Sequence, residues 1–185
     1  MEFKNIFNVS NFLSFIRLLL IIPAWFAFDN FDVPFYRYSI AAIGIFASVT
    51  DILDGYLARK LNQITEFGKL IDPLADKVLI AFVVINLFIL NEIPEYYFYL
   101  IIGRDLLILI GGLIVTKKIG KVLPSDYLGK ITVLSISFVL LVILFKVSTE
   151  SLLYQLLFYL SIFLIITSFV NYLFRAYRIL TQSKK

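Results

Sequence analysis

The chain has 185 residues, of which 61% are hydrophobic and 17% aromatic, with a formal net charge of +4 and a mean hydropathy of +0.92. A soluble domain of this size is nearer about 45–50% apolar, so the composition excludes an ordinary soluble protein. The sequence contains no cysteine and no histidine. Disulfides and thiolate zinc sites are therefore excluded, and carboxylates must carry any metal binding or general-base chemistry.

Six apolar runs follow one another, and a bilayer-spanning helix needs about 20 apolar residues. We expect six transmembrane helices, near residues 12–28, 38–57, 70–90, 96–115, 131–147 and 152–174. The connections are too short for a soluble domain, so we predict one all-α membrane domain over residues 1–185. Residues 1–8 are expected to form a short interfacial helix or a frayed terminus. We expect Pro23 to bend the first helix and Gly111-Gly112 to mark close helix packing.

The basic residues predict the orientation, because cytoplasmic loops carry an excess of lysine and arginine. One alternate set of connections and termini holds 14 of the 17 basic residues: Lys4, Arg17, Arg59, Lys60, Lys69, Lys77, Lys117, Lys118, Lys121, Lys130, Arg175, Arg178, Lys184 and Lys185. This distribution places both termini in the cytoplasm. The net charge reflects topology and contact with membrane lipids, so nucleic-acid binding is not indicated.

Acidic residues form two pairs between residues 51 and 76. Asp51 and Asp54 are three residues apart, and Asp72 and Asp76 are four apart, so each pair shares one helix face. The short basic connection between the two helices is expected to bring both pairs together at the cytoplasmic edge of the membrane. Four close carboxylates repel one another, and divalent cations such as magnesium, calcium or manganese would offset that repulsion. A metal pair about 4 Å apart is suited to displacement at phosphorus.

Small and basic residues accompany the aspartates. Gly55, Ala58 and Gly68 would let a phosphate or nucleotide approach the helix backbone, and Arg59 would neutralise phosphate charge. Asp76 is the candidate general base, because it is the carboxylate most easily spared from full metal ligation. The segment therefore predicts phosphoryl-group chemistry with an alcohol as the attacking group.

The pattern Asp-x2-Asp-Gly-x2-Ala-Arg-x8-Gly-x3-Asp-x3-Asp resembles the signature of the CDP-alcohol phosphatidyltransferases. All eight signature residues are present, namely Asp51, Asp54, Gly55, Ala58, Arg59, Gly68, Asp72 and Asp76. The resemblance implies six transmembrane helices, a homodimer, and transfer of a phosphatidyl group from CDP-diacylglycerol to an alcohol with release of CMP. It implies that the four aspartates hold two divalent cations, Mg²⁺ or Mn²⁺, with Asp76 as base. It also implies CDP contacts from Gly55, Ala58, Arg59 and Gly68.

The N-terminal segment adds to this resemblance. Asn11-Phe-Leu-Ser14-Phe-Ile-Arg17 is similar to the Pro-Asn-x-Leu-Ser/Thr-x-x-Arg opening of many family members, with Ser10 in place of the proline. The similarity implies that Asn11, Ser14 and Arg17 border the CDP site. In the alternative interpretation, Asn11 and Ser14 cap the first helix and Arg17 extends to the membrane interface.

The acceptor alcohol is predicted from segment 71–77 and from two downstream sites. The sequence IDPLADK at 71–77 resembles phosphatidylglycerophosphate synthases and cardiolipin synthases of the phosphatidyltransferase type. Glycerol 3-phosphate is the preferred acceptor, and Arg104 and Lys130 are candidates to bind its phosphate. Arg104-Asp105 departs from the Arg-Glu common in the first branch, and Gly129-Lys130 also occurs in the second, so phosphatidylglycerol stays an alternative. Arg104 is alternatively a structural partner of a nearby carboxylate.

Two further function classes are considered beside the enzyme. A cation transporter would also place acidic residues in a membrane, but it gives no reason for small residues and an arginine at fixed offsets from them. An inactive scaffold of the same fold would not need the complete set of aspartates. We therefore predict an enzyme of a bacterial-type cytoplasmic membrane, with its active site at the cytoplasmic face.

Overall fold

A computed structural model describes the backbone of residues 9–60, 68–119 and 126–182, and the side chains of residues 14–51, 77–115 and 126–181. Seven helices occupy these parts of the chain: α1 Val9–Leu19, α2 Ile21–Asp29, α3 Pro34–Lys60, α4 Gly68–Ile89, α5 Glu95–Ile119, α6 Tyr127–Leu144 and α7 Leu152–Gln182. The same residues contain no strand, which confirms the predicted all-α class. The interfacial helix predicted for residues 1–8 lies outside the described residues.

Each of the six predicted spans overlaps a helix, but the first one is divided. α1 ends at Leu19 and α2 begins at Ile21. The backbone N–H of Leu20 still donates to the Ile16 carbonyl at 2.9 Å, and that of Ala24 donates to the Leu20 carbonyl at 3.1 Å. Pro23 explains the interruption, because it has no N–H for the Leu19 carbonyl and its ring crowds that carbonyl. The break agrees with the expectation that Pro23 disturbs this helix.

The first compact unit comprises Met1–Leu87. In it, α1 and α2 both pack against α3. Small residues on α2 and α3 are buried, so these helices can approach closely: Ala24, Ala27, Ala41 and Ala47. Phe28 closes the end of α2 by stacking on Phe31 and by an edge contact with Phe82 of α4. This packing fixes α1 and α3 relative to each other, and both carry predicted site residues.

The second compact unit comprises Phe88–Lys185, in which α5 and α6 both pack against α7. The hydroxyl groups of Tyr97 and Ser161 are 2.8 Å apart in its buried core. Gly111 faces Tyr172 so closely that a β-carbon added there would lie 3.1 Å from the tyrosine hydroxyl oxygen. The expectation of close packing at Gly111 is therefore confirmed, and the glycine serves the contact between α5 and α7.

An ion pair ties together two connections of the second unit. The Lys146 ammonium, after α6, contacts the carboxylate of Glu92, which precedes α5. Asn91 and Lys146 both adopt positive φ angles, of 57° and 52°, so each connection turns sharply beside the pair. The connection before α5 and the connection after α6 therefore lie at the same end of this unit, as the predicted alternation of spans requires.

Three helices within the described residues are long and apolar enough to cross a membrane, over Glu95–Val115, Tyr127–Leu144 and Leu152–Thr181. A shorter apolar helical stretch covers Lys77–Ile89. Large apolar side chains point outward on these helices, for example Leu113 and Phe163, as expected for surfaces that face lipid. The count of six spans, the cytoplasmic placement of both termini and the single domain stay predictions.

Candidate functional site

Two helices of the first unit carry the predicted aspartate pairs. α3 continues through Asp51 and Asp54 to Lys60, and α4 begins at Gly68. Asp72 and Asp76 therefore lie in the first three turns of α4, and the spacing of each pair is helical as predicted. The side chains of Asp54, Asp72 and Asp76 lie outside the described residues, so the convergence of the four carboxylates stays a prediction.

The remaining signature residues are placed by their backbones alone. Gly55, Ala58 and Arg59 lie in α3, and Asn11 lies in α1. Their side chains, and the surroundings of Gly68, are outside the described residues. The contacts with CDP that we expect from these residues therefore stay predictions.

Asp51 is the aspartate whose surroundings are described, and it is paired with Arg17. Nη1 of Arg17 donates to Oδ1 of Asp51 at 2.9 Å, which joins α1 to α3. The Arg17 side chain is fully buried, whereas 47% of the Asp51 side chain is exposed. The pair therefore presents its carboxylate, and not its cation, to the surroundings.

Ser14 completes this arrangement from the same helix as Arg17. Its hydroxyl oxygen accepts a hydrogen bond from Nη2 of Arg17 at 3.0 Å, and Ser14 is fully buried. Ser14 and Asn11 both lie inside α1, which extends back to Val9, so the alternative that they cap this helix is wrong. The alternative that Arg17 extends to the membrane interface is also wrong, because Arg17 is buried against Asp51.

A second buried arginine, Arg104, lies in the middle of α5. Its Nη1 donates to Oδ1 of the adjacent Asp105 at 2.5 Å, and its Nη2 donates to the Ser168 hydroxyl of α7 at 3.2 Å. Its Nε is buried, and within the described part of the chain it has no hydrogen-bond partner. Pairing with a neighbouring carboxylate is therefore present, and the Nε–H can still donate to a further group.

The start of α6 adjoins Arg104. A β-carbon on Gly129 would lie 3.5 Å from Nη2 of Arg104, which is ordinary van der Waals contact. The next residue, Lys130, has an exposed side chain, and its backbone N–H donates to the Asp126 carbonyl at 3.3 Å. The structure thus places one predicted acceptor residue, Arg104, beside the helix turn that carries the other, Lys130.

A polar contact between α6 and α7 was not predicted. Asp126, at the N-cap of α6, accepts a hydrogen bond from the Asn171 amide, and its Oδ1 lies 3.6 Å from Nη1 of Arg175. Ser168, Asn171 and Arg175 occur at positions i, i+3 and i+7, so they share one face of α7. This polar stripe in an otherwise apolar helix was the sequence signal that could have revealed the contact.

The residues of the predicted metal centre can be tested for their fit to divalent cations. Among the described side chains, no group of three or more acidic residues is arranged to hold a metal. Of the four predicted ligands, Asp51 alone belongs to that part of the chain, and its carboxylate stays accessible while it is bonded to Arg17. Four carboxylates form an all-oxygen donor set, which suits magnesium or manganese. The residues present therefore fit the predicted cations.

Comparison with known proteins links these features to one family. The sequence model for "CDP-alcohol phosphatidyltransferase" matches residues 7–172. A CDP-diacylglycerol–glycerol-3-phosphate 3-phosphatidyltransferase of Aquifex aeolicus is 35% identical over 94% of this chain and 98% of its own length. An enzyme with the same name from Bacillus subtilis is 35% identical, over 68% of this chain and 70% of its own. A probable phosphatidylglycerophosphate synthase of Mycobacterium tuberculosis is 33% identical, over 69% of this chain and 61% of its own length.

Proposed function

The chain belongs to the CDP-alcohol phosphatidyltransferase family, and from this membership we propose that it transfers a phosphatidyl group from CDP-diacylglycerol to glycerol 3-phosphate. The products are phosphatidylglycerophosphate and CMP. The observation that carries the proposal is the match to the Aquifex aeolicus enzyme, which covers nearly the whole of both chains. The match therefore includes α5 and α6, which hold the predicted acceptor residues, as well as the signature. The relatives named above lend no support to phosphatidylglycerol as the acceptor.

Two divalent cations, Mg²⁺ or Mn²⁺, would be held by Asp51, Asp54, Asp72 and Asp76. When bound, such cations stabilise negative charge on the oxygens of the transferred phosphate and of the leaving group. The accessible carboxylate of Asp51 and the helical spacing of both aspartate pairs support this assignment. Small residues beside them, Gly55 and Ala58, leave room for the CDP group to approach α3.

The chain's own residues supply the remaining steps. Asp76 takes the proton from the acceptor hydroxyl as that oxygen forms its bond to the β-phosphorus of CDP-diacylglycerol. The bond from that phosphorus to the bridging oxygen breaks, and CMP leaves with the electron pair. Arg59 offsets charge on the phosphates during this exchange. The signature contains no serine, cysteine or histidine nucleophile, so we propose a single displacement with inversion at phosphorus.

Arg104 and Lys130 are proposed to bind the phosphate of glycerol 3-phosphate. Arg104 is held by Asp105 and Ser168, and its buried Nε has no partner within the described residues. A guanidinium fixed in this way loses little conformational freedom when it binds a phosphate oxygen. Lys130 adds an exposed side chain with an ammonium group, and it directly follows Gly129, the residue that faces Arg104.

The same family membership supports a proposal for where the enzyme lies in the cell and for its oligomeric state. The chain is an integral membrane enzyme with three long apolar helices in its described part, and we propose that it lies in a bacterial-type cytoplasmic membrane. The basic residues favour an active site at the cytoplasmic face, where CDP-linked lipid and glycerol 3-phosphate would meet. We also propose that the enzyme acts as a homodimer.

CMP release by the purified protein in detergent tests this function. CDP-diacylglycerol and Mg²⁺ or Mn²⁺ are supplied with one acceptor at a time: glycerol 3-phosphate, phosphatidylglycerol, inositol, inositol phosphate or serine. We expect metal-dependent release with glycerol 3-phosphate alone. Release with phosphatidylglycerol alone would make the protein a cardiolipin synthase. Folded protein that releases no CMP with any acceptor would contradict the proposed reaction.

A substitution of the proposed base provides the matching test of mechanism. Asp76→Asn should lower turnover by roughly 10²–10⁴-fold, the usual contribution of general-base catalysis. The variant should still fold and bind CDP-diacylglycerol, because an amide retains the size of the carboxylate. Turnover near the wild-type rate would remove Asp76 from the mechanism, and retention of configuration at phosphorus would replace the single displacement by a covalent intermediate.

A further inference from the structure

We propose that Arg17 is a positioning residue for Asp51: it orients the first proposed metal ligand and does not itself contact the CDP group. This inference rests on the proposed function, because it assumes that Asp51 binds a divalent cation. It assigns to Arg17 a different role from the nucleotide contact that the N-terminal motif suggested. Ser14 belongs to the same arrangement, since its hydroxyl accepts a hydrogen bond from the other terminal nitrogen of the guanidinium.

Burial is the first argument. The Arg17 side chain is fully buried, whereas nearly half of the Asp51 side-chain surface is exposed. A nucleotide or a cation that approaches this pair therefore meets the carboxylate. A direct phosphate contact would require the guanidinium to leave its buried position and abandon its bonds to Asp51 and Ser14.

The geometry of the bonds is the second argument. Arg17 uses Nη1 for Oδ1 of Asp51 at 2.9 Å and Nη2 for the Ser14 hydroxyl at 3.0 Å. Because a guanidinium is planar and rigid, two bonds from its two terminal nitrogens fix its orientation. The fixed donor in turn restricts the rotation of the Asp51 carboxylate. Hydrogen bonds to metal ligands from such neighbouring groups orient the ligand before the metal arrives.

Charge is the third argument. A buried arginine is costly unless a carboxylate compensates it, and Asp51 lies 34 residues away on another helix. The pairing therefore exists only when α1 and α3 are packed together. Four aspartates assembled without cations would repel one another, and a fixed positive charge beside Asp51 offsets part of that repulsion. Arg17 thus favours the arrangement that the cations need before they bind.

Direct binding of Mn²⁺ distinguishes positioning from nucleotide contact. Free Mn²⁺ is measured by its electron paramagnetic resonance signal as Mn²⁺ is titrated into the purified protein in detergent, without nucleotide. Loss of a group that orients a metal ligand usually weakens affinity about 10–100-fold. We expect that loss for Arg17→Met, a smaller one for Arg17→Lys, and the smallest for Ser14→Ala.

Arg37→Met is the matched control, because it removes another arginine from the same unit. Nη1 of Arg37 bonds the carbonyl oxygens of Phe31 and Asp32, and Arg37 lies 14 residues before Asp51 on α3, about 21 Å away along the helix. Its Mn²⁺ affinity should equal that of the wild type. Thermal unfolding of every variant identifies those that fold. If Arg17→Met does not fold, the Mn²⁺ affinities of Arg17→Lys and Ser14→Ala test the proposal.

Steady-state kinetics supply the second measurement. At saturating Mn²⁺ we expect Arg17→Lys and Ser14→Ala to regain most of their turnover and to keep the wild-type KM for CDP-diacylglycerol. Unchanged Mn²⁺ affinity together with a raised KM for CDP-diacylglycerol would make Arg17 a nucleotide contact and overturn the inference. Wild-type protein that binds no Mn²⁺, with or without CMP, would instead contradict the metal-dependent function on which the inference rests.

Discussion

Each of the two compact units contains a buried arginine paired with an aspartate, and the two pairs are built differently. Arg17 and Asp51 lie on different helices, and the aspartate is 47% exposed. Arg104 and Asp105 are neighbours on one helix, and both side chains are largely buried, with 7% and 24% exposed. The first pair depends on tertiary packing and presents a carboxylate. The second forms within one helix, and Ser168 of α7 accepts a further hydrogen bond from its arginine.

We propose that the two units use the same pair of charges in opposite ways. In the first unit we propose that the arginine is a fixed support and that the aspartate is the group that meets a ligand. In the second unit the aspartate and Ser168 hold the arginine, and we propose that the arginine is the group that meets a ligand. A cation therefore suits the first pair and an anion the second. The four predictions below test this difference.

The largest expected difference is between the two aspartates. Asp51→Asn should lower turnover by roughly 10²–10⁴-fold, because it removes a proposed ligand of the metal. A bound metal stabilises the charge that develops in the transition state by several kcal/mol. Asp105→Asn keeps a hydrogen-bond acceptor for Arg104 and should lower turnover less than about tenfold. CMP release at saturating substrates measures both, after thermal unfolding has shown that each variant is folded. Equal losses would contradict the different roles of the two aspartates.

The positions of the helices could be predicted from the sequence more fully than the contacts between them. Apolar runs located the helices, and Pro23 indicated a bend in the first span, which the structure divides at Leu20, because both signals are local. The pairing of Arg17 with Asp51 was not predicted, since it spans 34 residues and depends on the packing of α1 on α3. The spacing of the eight signature residues showed which positions share a helix face, but spacing carries no information about which helix lies opposite.

The second unit illustrates the same limit. The adjacency of Arg104 and Asp105 made local pairing an explicit alternative, and the structure contains that pair. The contribution of Ser168 was missed, because a single serine in an apolar helix is usually bonded to its own backbone. Ser168 does donate to the Ile165 carbonyl at 3.0 Å, and it also accepts from Arg104. Sequence alone does not distinguish these two uses of one hydroxyl.

The next prediction concerns the two arginines and the acceptor. Arg104→Lys should raise the KM for glycerol 3-phosphate about 10–100-fold, because lysine retains the charge but loses a charge-assisted hydrogen bond of about 1.5–3 kcal/mol. Arg17→Lys should leave that KM unchanged. Initial rates at varied glycerol 3-phosphate measure both variants. An Arg104→Lys enzyme with a normal KM and a lowered Tm would mean that Arg104 stabilises the fold and does not bind the acceptor.

A smaller effect is expected at the support of Arg104. Ser168→Ala removes the acceptor at 3.2 Å from Nη2 and should raise the KM for glycerol 3-phosphate about two- to tenfold. Ser137→Ala is the matched control, because the Ser137 hydroxyl donates to the Val133 carbonyl at 3.0 Å within α6. The control should keep the wild-type KM. A similar shift in both variants would mean that the effect comes from loss of a helix serine and not from Arg104.

The smallest predicted effect uses adjacent glycines of α5. Gly111→Ala should raise the KM for glycerol 3-phosphate about two-fold, because its β-carbon would lie 3.1 Å from the Tyr172 hydroxyl oxygen and would push this side chain, which lies one turn beyond Ser168 on α7. Gly112→Ala meets the same oxygen at 3.5 Å, an ordinary contact, and should leave this KM unchanged. Both substitutions gain the same helix propensity, so their difference isolates the Tyr172 contact. Mn²⁺ affinity should be unaffected in both, because Arg17 and Asp51 lie on α1 and α3 and bond each other within the first unit. A parallel loss of Mn²⁺ affinity in Gly111→Ala would contradict the separate support of the two arginine–aspartate pairs.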